Sequence, residues 1–171
     1  MVLSSRARTP KTFFLGQSRG KHRCSAQLRF LYFGSADYTI FLSPFFVQPV
    51  FRENGYFMMV SQFQEPSHFL MAYLEDYQMD PAGAQPLLTF SVFDDFSEDK
   101  DLTLVRADVL NRGIEDDEGL KVVQNMLDGY IRDDEYLSID GFNNKPDTFD
   151  LDAFISRQKE KWQSEEQIDS N

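Results

Sequence analysis

Short apolar runs broken by turn residues fill the middle of the chain, and this pattern predicts β-strands. The turn Glu53-Asn54-Gly55 is the strongest of these breaks, because Asn-Gly favours a tight hairpin. Pro49 cannot donate to a strand ladder, so its strand is expected at a sheet edge or a bulge. The predicted strands are Phe45–Phe51, Tyr56–Gln64, His68–Glu75, Leu87–Phe96 and Leu102–Leu110.

The pattern changes after Gly113, where apolar residues begin to recur every three or four positions and predict an amphipathic helix. That stripe consists of Leu120, Val123, Met126, Leu127 and Tyr130. Acidic residues near its start favour a helix N-terminus, because they complement the helix dipole.

A second helix is predicted near the end of the chain, after the breaker Asn143-Asn144-Lys145-Pro146. Asp150 or Asp152 would cap it, and its apolar residues are Phe154, Ile155 and Trp162. Two other segments are less periodic. We expect Asp76–Pro86 to be a loop, and Glu135–Phe142 to be a sixth strand or a turn.

The strands come before the helices instead of alternating with them, which is typical of an α+β fold. We therefore predict a largely antiparallel five- to six-stranded sheet with two main helices packed against it. The 171 residues suffice for one domain. We place this domain at residues 37–163, after an unstructured basic leader at 1–36 and before a polar C-terminal tail at 164–171.

The hairpin Tyr56–Leu74 is apolar on both faces, although a half-buried sheet needs only one apolar face. Either helices cover one face while the core fills the other, or one face is left for a partner. Methionine suits an adaptable apolar contact, which keeps the second arrangement open. The candidate partner-binding residues are Tyr56, Phe57, Met58, Met59, Val60, Leu70 and Leu74.

Charge divides the chain into two unlike parts. Residues 1–36 hold seven Lys/Arg and no Asp or Glu, which leaves 10 Lys/Arg against 28 Asp/Glu, a formal charge of −18, in the remainder. The basic part resembles a mitochondrial or plastid transit peptide in composition, and equally a basic tail or a non-native start. The acidic part disfavours nucleic acid and anionic lipid as partners. No run of residues is long and apolar enough for stable membrane insertion.

Groups that carry catalysis are few. Cys24 is the single cysteine, and both it and His22 lie in the leader. His68 has no metal-ligand partner at a recognised spacing, so no metal site is predicted from it. The alternative to a binding protein is a small hydrolase or metal-dependent enzyme that uses His68 with Asp94 or Asp95. A generic acidic interaction domain outside mitochondria is a third alternative.

Several short motifs occur in a definite order over about residues 45–156. They are Arg52-x-x-Gly55-Tyr56, Gln62-Phe63, His68-Phe69, the acidic hairpin "SEDKDLTLVRAD", and Phe142-Asn143 with Pro146 and Phe149. Together they resemble the mitochondrial chaperone family that assembles the F1 sector of ATP synthase, in the type that holds the free β subunit. Segment Arg29–Pro44 departs from that family, whose members usually carry a longer, charged helical segment at this place.

The resemblance implies a non-enzymatic chaperone in the mitochondrial matrix that uses no cofactor. Apart from the resemblance, we expect the protein to be a monomer. Its partner would be the unassembled F1 β subunit, whose apolar surface it would shield before α/β assembly. The resemblance gives His68 a place in the fold signature and no catalytic role.

Overall fold

The computed structural model describes residues 11–18, 39–93, 95 and 102–169. Six strands in this part of the chain form one antiparallel sheet, in the order β1-β6-β5-β4-β3-β2. Strands β2 to β6 are therefore a meander, and β1 pairs with β6 at the far edge. The strands are β1 Lys11–Ser18, β2 Phe45–Arg52, β3 Gly55–Gln64, β4 His68–Tyr73, β5 Leu88–Phe93 and β6 Leu102–Val109.

The longer helices follow the sheet in the sequence and contact one of its faces. The helices are α1 Thr39–Leu42, α2 Leu74–Met79, α3 Asp116–Ile131, α4 Asp133–Asn144 and α5 Leu151–Asp169, with a 3-10 turn at Pro146–Thr148. The predicted α+β class is confirmed, as is the largely antiparallel sheet. Pro49 lies on β2, an edge strand, where its missing N–H costs no hydrogen bond in the sheet.

The helix-covered face of the sheet carries the aromatic core. The Phe69 ring stacks on that of Phe90 with centroids 4.4 Å apart, and Tyr130 of α3 lies 5.9 Å from Phe69. Phe46 of β2 contacts Phe154 of α5 at 5.3 Å. Aromatic side chains bury large areas, so these contacts fix the helices on the sheet.

The opposite face, called here the outer face, is formed by the alternate residues of the same strands. It comprises Tyr56, Met58, Val60 and Gln62 of β3, Leu70 and Ala72 of β4, and Thr89, Ser91 and Phe93 of β5. Tyr77 of α2 and the loop up to Pro86 border a 70 Å³ cavity on this face. Tyr56 is 52% exposed and Phe93 is 38% exposed, so the outer face is less completely covered than the other.

One predicted element has a different structure. Glu135–Phe142, expected as a strand or a turn, lies within helix α4. Three acidic residues occupy the first turn of α4, where the helix dipole stabilises them. Gly129 of α3 leaves room for Ile139, whose Cδ1 would lie 3.0 Å from a Cβ at that position. The sequence gives only a weak helical pattern for α4, because only two of its residues, Ser138 and Ile139, are buried.

Three boundaries also differ from prediction. The predicted loop Asp76–Pro86 begins inside helix α2, which takes the last two residues of the predicted third strand. Within the predicted unstructured leader, Lys11–Ser18 forms strand β1 and pairs with β6. Helix α5 continues to Asp169, past the predicted start of the polar tail. The domain limits themselves stay a prediction.

Candidate functional site

The β2–β3 turn shapes one end of the outer face. Arg52 and Gly55 form the closing pair of the hairpin, with Glu53 and Asn54 between them. Gly55 has a φ of 144°, a backbone conformation that a residue with a Cβ adopts only with strain. Tyr56 follows directly and presents an exposed ring, so the turn sets the position of this side chain.

Arg52 ties the turn to the start of helix α3. Its Nε donates to Glu118 Oε1 at 2.6 Å and its Nη2 donates to Oε2 at 2.8 Å. Nη2 also donates to the Gly113 carbonyl at 3.1 Å, and the guanidinium lies 4.8 Å from the centre of the Phe57 ring. Paired N–H···O bonds of this kind define the orientation of the turn relative to helix α3.

Glu118 belongs to two arrangements at once. It is the third residue of α3 and forms a capping box with Glu115, whose backbone N–H donates to Glu118 Oε2 at 2.8 Å. Burial opposes its ionisation, but the hydrogen bonds from Arg52 and from the Glu115 backbone outweigh it, so the pKa of Glu118 is lowered. The same hydrogen bond raises the pKa of Arg52. Both groups are therefore charged at neutral pH.

A groove of 710 Å³ lies between this turn and helix α5. Its aromatic part is a chain of contacts, with Phe51 centred 5.7 Å from Tyr56 and 6.0 Å from Trp162. The Lys121 ammonium also lies 4.9 Å from the centre of the Trp162 ring. The full lining consists of Phe51, Arg52, Glu53, Gly55, Tyr56, Ile155, Ser156, Lys159, Trp162 and Gln163. We call it the C-terminal groove.

Two charged side chains of opposite sign line the C-terminal groove from different walls. Glu53 lies on the turn and Lys159 lies on α5. Across the described ranges neither side chain makes an ion pair, whereas the neighbouring Arg52 is bound to Glu118. The groove thus combines aromatic surface with one acidic and one basic group able to take a partner.

The structure separates the seven predicted partner-binding residues. Tyr56 is exposed and lines the C-terminal groove, and four others are half-buried. Met59 is 0% exposed and Val60 is 5% exposed, so in this structure these two are core residues. Phe57 lies on the helix-covered face, 5.2 Å from the Tyr73 ring. The half-buried residues are Phe57, Met58, Leu70 and Leu74.

Sequence reasoning missed the part of the groove that α5 supplies. The sequence predicts Ile155 and Trp162 as apolar residues of that helix, but it does not predict that they line a groove with the turn. Their spacing of seven places them on one helix face together with Lys159, and this was the available signal. The spacing does not indicate which strand or turn that helix face contacts.

His68, the centre of the alternative catalytic site, has a hydrogen-bond partner on the neighbouring strand. His68 is exposed on β4 and its Nδ1 lies 2.7 Å from Ser91 Oγ, across the β4–β5 pair. Asp94 lies outside the described residues, and Asp95 is exposed. Over the ranges that the structure describes, no group of three His, Cys, Asp or Glu side chains is placed to hold a metal ion.

Comparison with protein families identifies the family to which this α+β chain belongs. The family model described as ATP11 protein matches residues 20–155, most of the chain. The chain belongs to this family, that of the mitochondrial F1-ATPase assembly chaperones, and the resemblance inferred from the motifs is confirmed. This is a chaperone family and not an enzyme family. A search of curated proteins gave no match.

Membership gives the chain a role in ATP synthase assembly and a mitochondrial location. Among the helices described, none combines the length and the apolar character needed to cross a membrane.

Proposed function

We propose that this protein binds the unassembled F1 β subunit in the mitochondrial matrix and prevents its aggregation before α/β assembly. The observation that carries the proposal is the family match, together with apolar side chains left accessible on the outer face. The choice of the β subunit rests on the motif order described above, in which Arg52-x-x-Gly55-Tyr56 forms the β2–β3 turn.

The outer face has properties suited to an unassembled subunit. Tyr56 is more than half exposed, and Met58 and Leu70 are half-buried on the same side of the sheet. Aromatic and methionine side chains are enriched where proteins bind each other, and methionine adapts its shape to the partner. The acidic surroundings favour a neutral or basic client surface over anionic partners.

The experiment that tests the proposal measures capture of the F1 β subunit from mitochondria by the full chain. Wild type should capture the β subunit above background and in preference to the α subunit. Met58→Asp should reduce capture about tenfold, because a charge desolvated in an apolar contact costs more than 1 kcal/mol. Met58→Leu, which keeps the apolar contact, is the matched control and should reduce capture less than about twofold.

Two results would count against the proposal. One is the absence of the β subunit from the captured material above background. The other is unfolding of Met58→Asp, seen as loss of the circular dichroism signal, which would make Met58 a core residue. Fusion of residues 1–36 to a reporter tests the location separately, and a cytosolic signal would contradict matrix targeting by this segment.

A further inference from the structure

We propose that the C-terminal groove binds a short extended segment of the client that carries one apolar side chain, one base and one acid. This inference rests on the proposed function, and it assigns to the groove a contact separate from that of Met58 and Leu70 on the outer face. The base of the segment would meet Glu53 on the turn, and its acid would meet Lys159 on helix α5.

The dimensions of the groove favour an extended segment. The lining residues of α5 run from Ile155 to Gln163, a span of about 12 Å at the helical rise of ~1.5 Å per residue. This length accommodates about four residues at the ~3.3 Å per residue of an extended chain.

The apolar floor supplies the anchor for the segment. Phe51 is half-buried, Tyr56 is 52% exposed, and Trp162 is only 4% exposed and closes the floor. An apolar side chain placed between Tyr56 and Ile155 would remove apolar surface from water on both walls of the groove.

The two charged residues of the groove determine which charges the client segment should carry. Glu53 and Lys159 are exposed, lie on different walls, and make no ion pair with each other within the described part of the chain. The turn carries two charged side chains, Arg52 and Glu53. Because Arg52 is already bound to Glu118, Glu53 is the one that can form an ion pair with the client. A client segment with a base and an acid in matching positions complements both groups.

The walls are held in place before binding. Arg52 fixes the turn on α3, while Lys161 of α5 lies 3.5 Å from Asp128 and 3.7 Å from Glu135. Trp162 joins α5 to Phe51 on β2. A groove with fixed walls loses little conformational entropy when it is filled, which favours binding.

The test is a charge exchange in the full chain, with purified F1 β subunit as the probe and the Kd as the readout. Glu53→Lys and Lys159→Glu should each weaken binding about threefold to fivefold at low salt, and less at high salt. The double exchange should bind more weakly than either single variant, since each charge meets a different group of the client. Met58→Asp is measured in parallel to report on the outer face.

Two controls match the change in net charge. Glu160→Lys alters an exposed residue of α5 that does not line the groove, and Arg112→Glu alters an exposed residue remote from α5 in the sequence. Both should bind the β subunit within about twofold of wild type. Loss of binding in these controls equal to that in the groove variants would overturn the proposal, because net charge alone would then explain the effect.

The remaining outcomes separate this inference from the proposed function. If Met58→Asp weakens binding and the groove variants bind as wild type does, the groove assignment is overturned and the proposed function stands. Restoration of binding by the double exchange would also overturn it, because the two side chains would then act as a pair within this chain. A groove variant that changes the oligomeric state in light scattering would assign the groove to a second copy instead. If wild type does not bind the β subunit, both proposals fail.

Discussion

The helix-covered face and the outer face of the sheet are made from alternate residues of the same strands, yet they differ in what covers them. Met59 is fully buried beneath the helices, whereas the adjacent Met58 is half-buried on the outer face. Phe69 and Leu70 form a second such pair. Since each pair is apolar at both positions, the difference lies in the packing of α3, α4 and α5 and not in the residues themselves.

The largest expected effect comes from truncating the core member of the second pair. Phe69→Ala should lower the free energy of unfolding by about 3–5 kcal/mol, because it leaves a cavity beneath Phe90 and Tyr130. Leu70→Ala, the matched variant on the outer face, should cost about 1 kcal/mol or less. Urea denaturation measures both, and equal losses would contradict the difference between the faces.

A smaller effect is expected where the helical layer meets the sheet edge. Asn143 of α4 accepts from the Phe45 N–H at 3.1 Å and donates to the Phe45 carbonyl at 2.5 Å, as a neighbouring strand would. Asn143→Ala should cost about 1–3 kcal/mol, since it leaves both backbone groups without this partner. Asn144 is more exposed and donates only to the side chains of Ser43 and Asp140, so Asn144→Ala should cost less, about 0.5 kcal/mol. Thermal unfolding that ranks them in the reverse order would reject this role.

The buried tyrosine of the helix-covered face supports the same edge. Tyr130 donates to the Ser43 carbonyl at 2.7 Å, just before β2, and burial raises the pKa of its hydroxyl far above its ordinary value. Tyr130→Phe should therefore cost about 1 kcal/mol, independent of pH between 6 and 9. Chemical denaturation at several pH values measures this, and a cost that varies over that range would refute the assignment.

The smallest expected effect concerns the pair that holds the turn of the C-terminal groove. The lowered pKa of Glu118 means that its contribution to stability is present above its ordinary pKa and is lost as the pH falls through its value in the folded protein. Wild type should exceed Glu118→Gln by about 0.5–1 kcal/mol at pH 7, a modest gain because the Arg52 side chain is 45% exposed.

That difference should shrink as the pH falls below the ordinary pKa of a glutamate, and it should vanish once the carboxyl group is protonated in both the folded and the unfolded chain. Glu160→Gln, at an exposed position of α5, serves as the control and should show no comparable change with pH. A difference that does not shrink at all as the pH falls would show that Glu118 acts by packing and not by charge.

Much of the fold could be predicted because its signals are local. The hairpin turn at Asn54-Gly55, the edge position of Pro49 and the apolar stripe of α3 each depend on a few neighbouring residues. Helix α4 was missed because few of its side chains are buried, so it shows little apolar periodicity. The pairing of β1 with β6 joins segments about ninety residues apart and has no local signature.

The candidate site, like the fold, could be predicted from the sequence only in part. The motif order predicted the family, and the two apolar faces of the hairpin predicted that a partner surface should be sought there. The C-terminal groove could not be predicted, because Phe51 and Trp162 meet only through the placement of α5 beside β2.

The sequence by itself determined strands β2 to β6, helices α3 and α5 and the family, since propensity, periodicity and motif spacing are properties of short segments. Only the tertiary structure decided that Met59 is core while Met58 is accessible, and that Glu53 and Lys159 line one groove. Burial and proximity depend on which element covers which face, and that is set by contacts between residues distant in the chain.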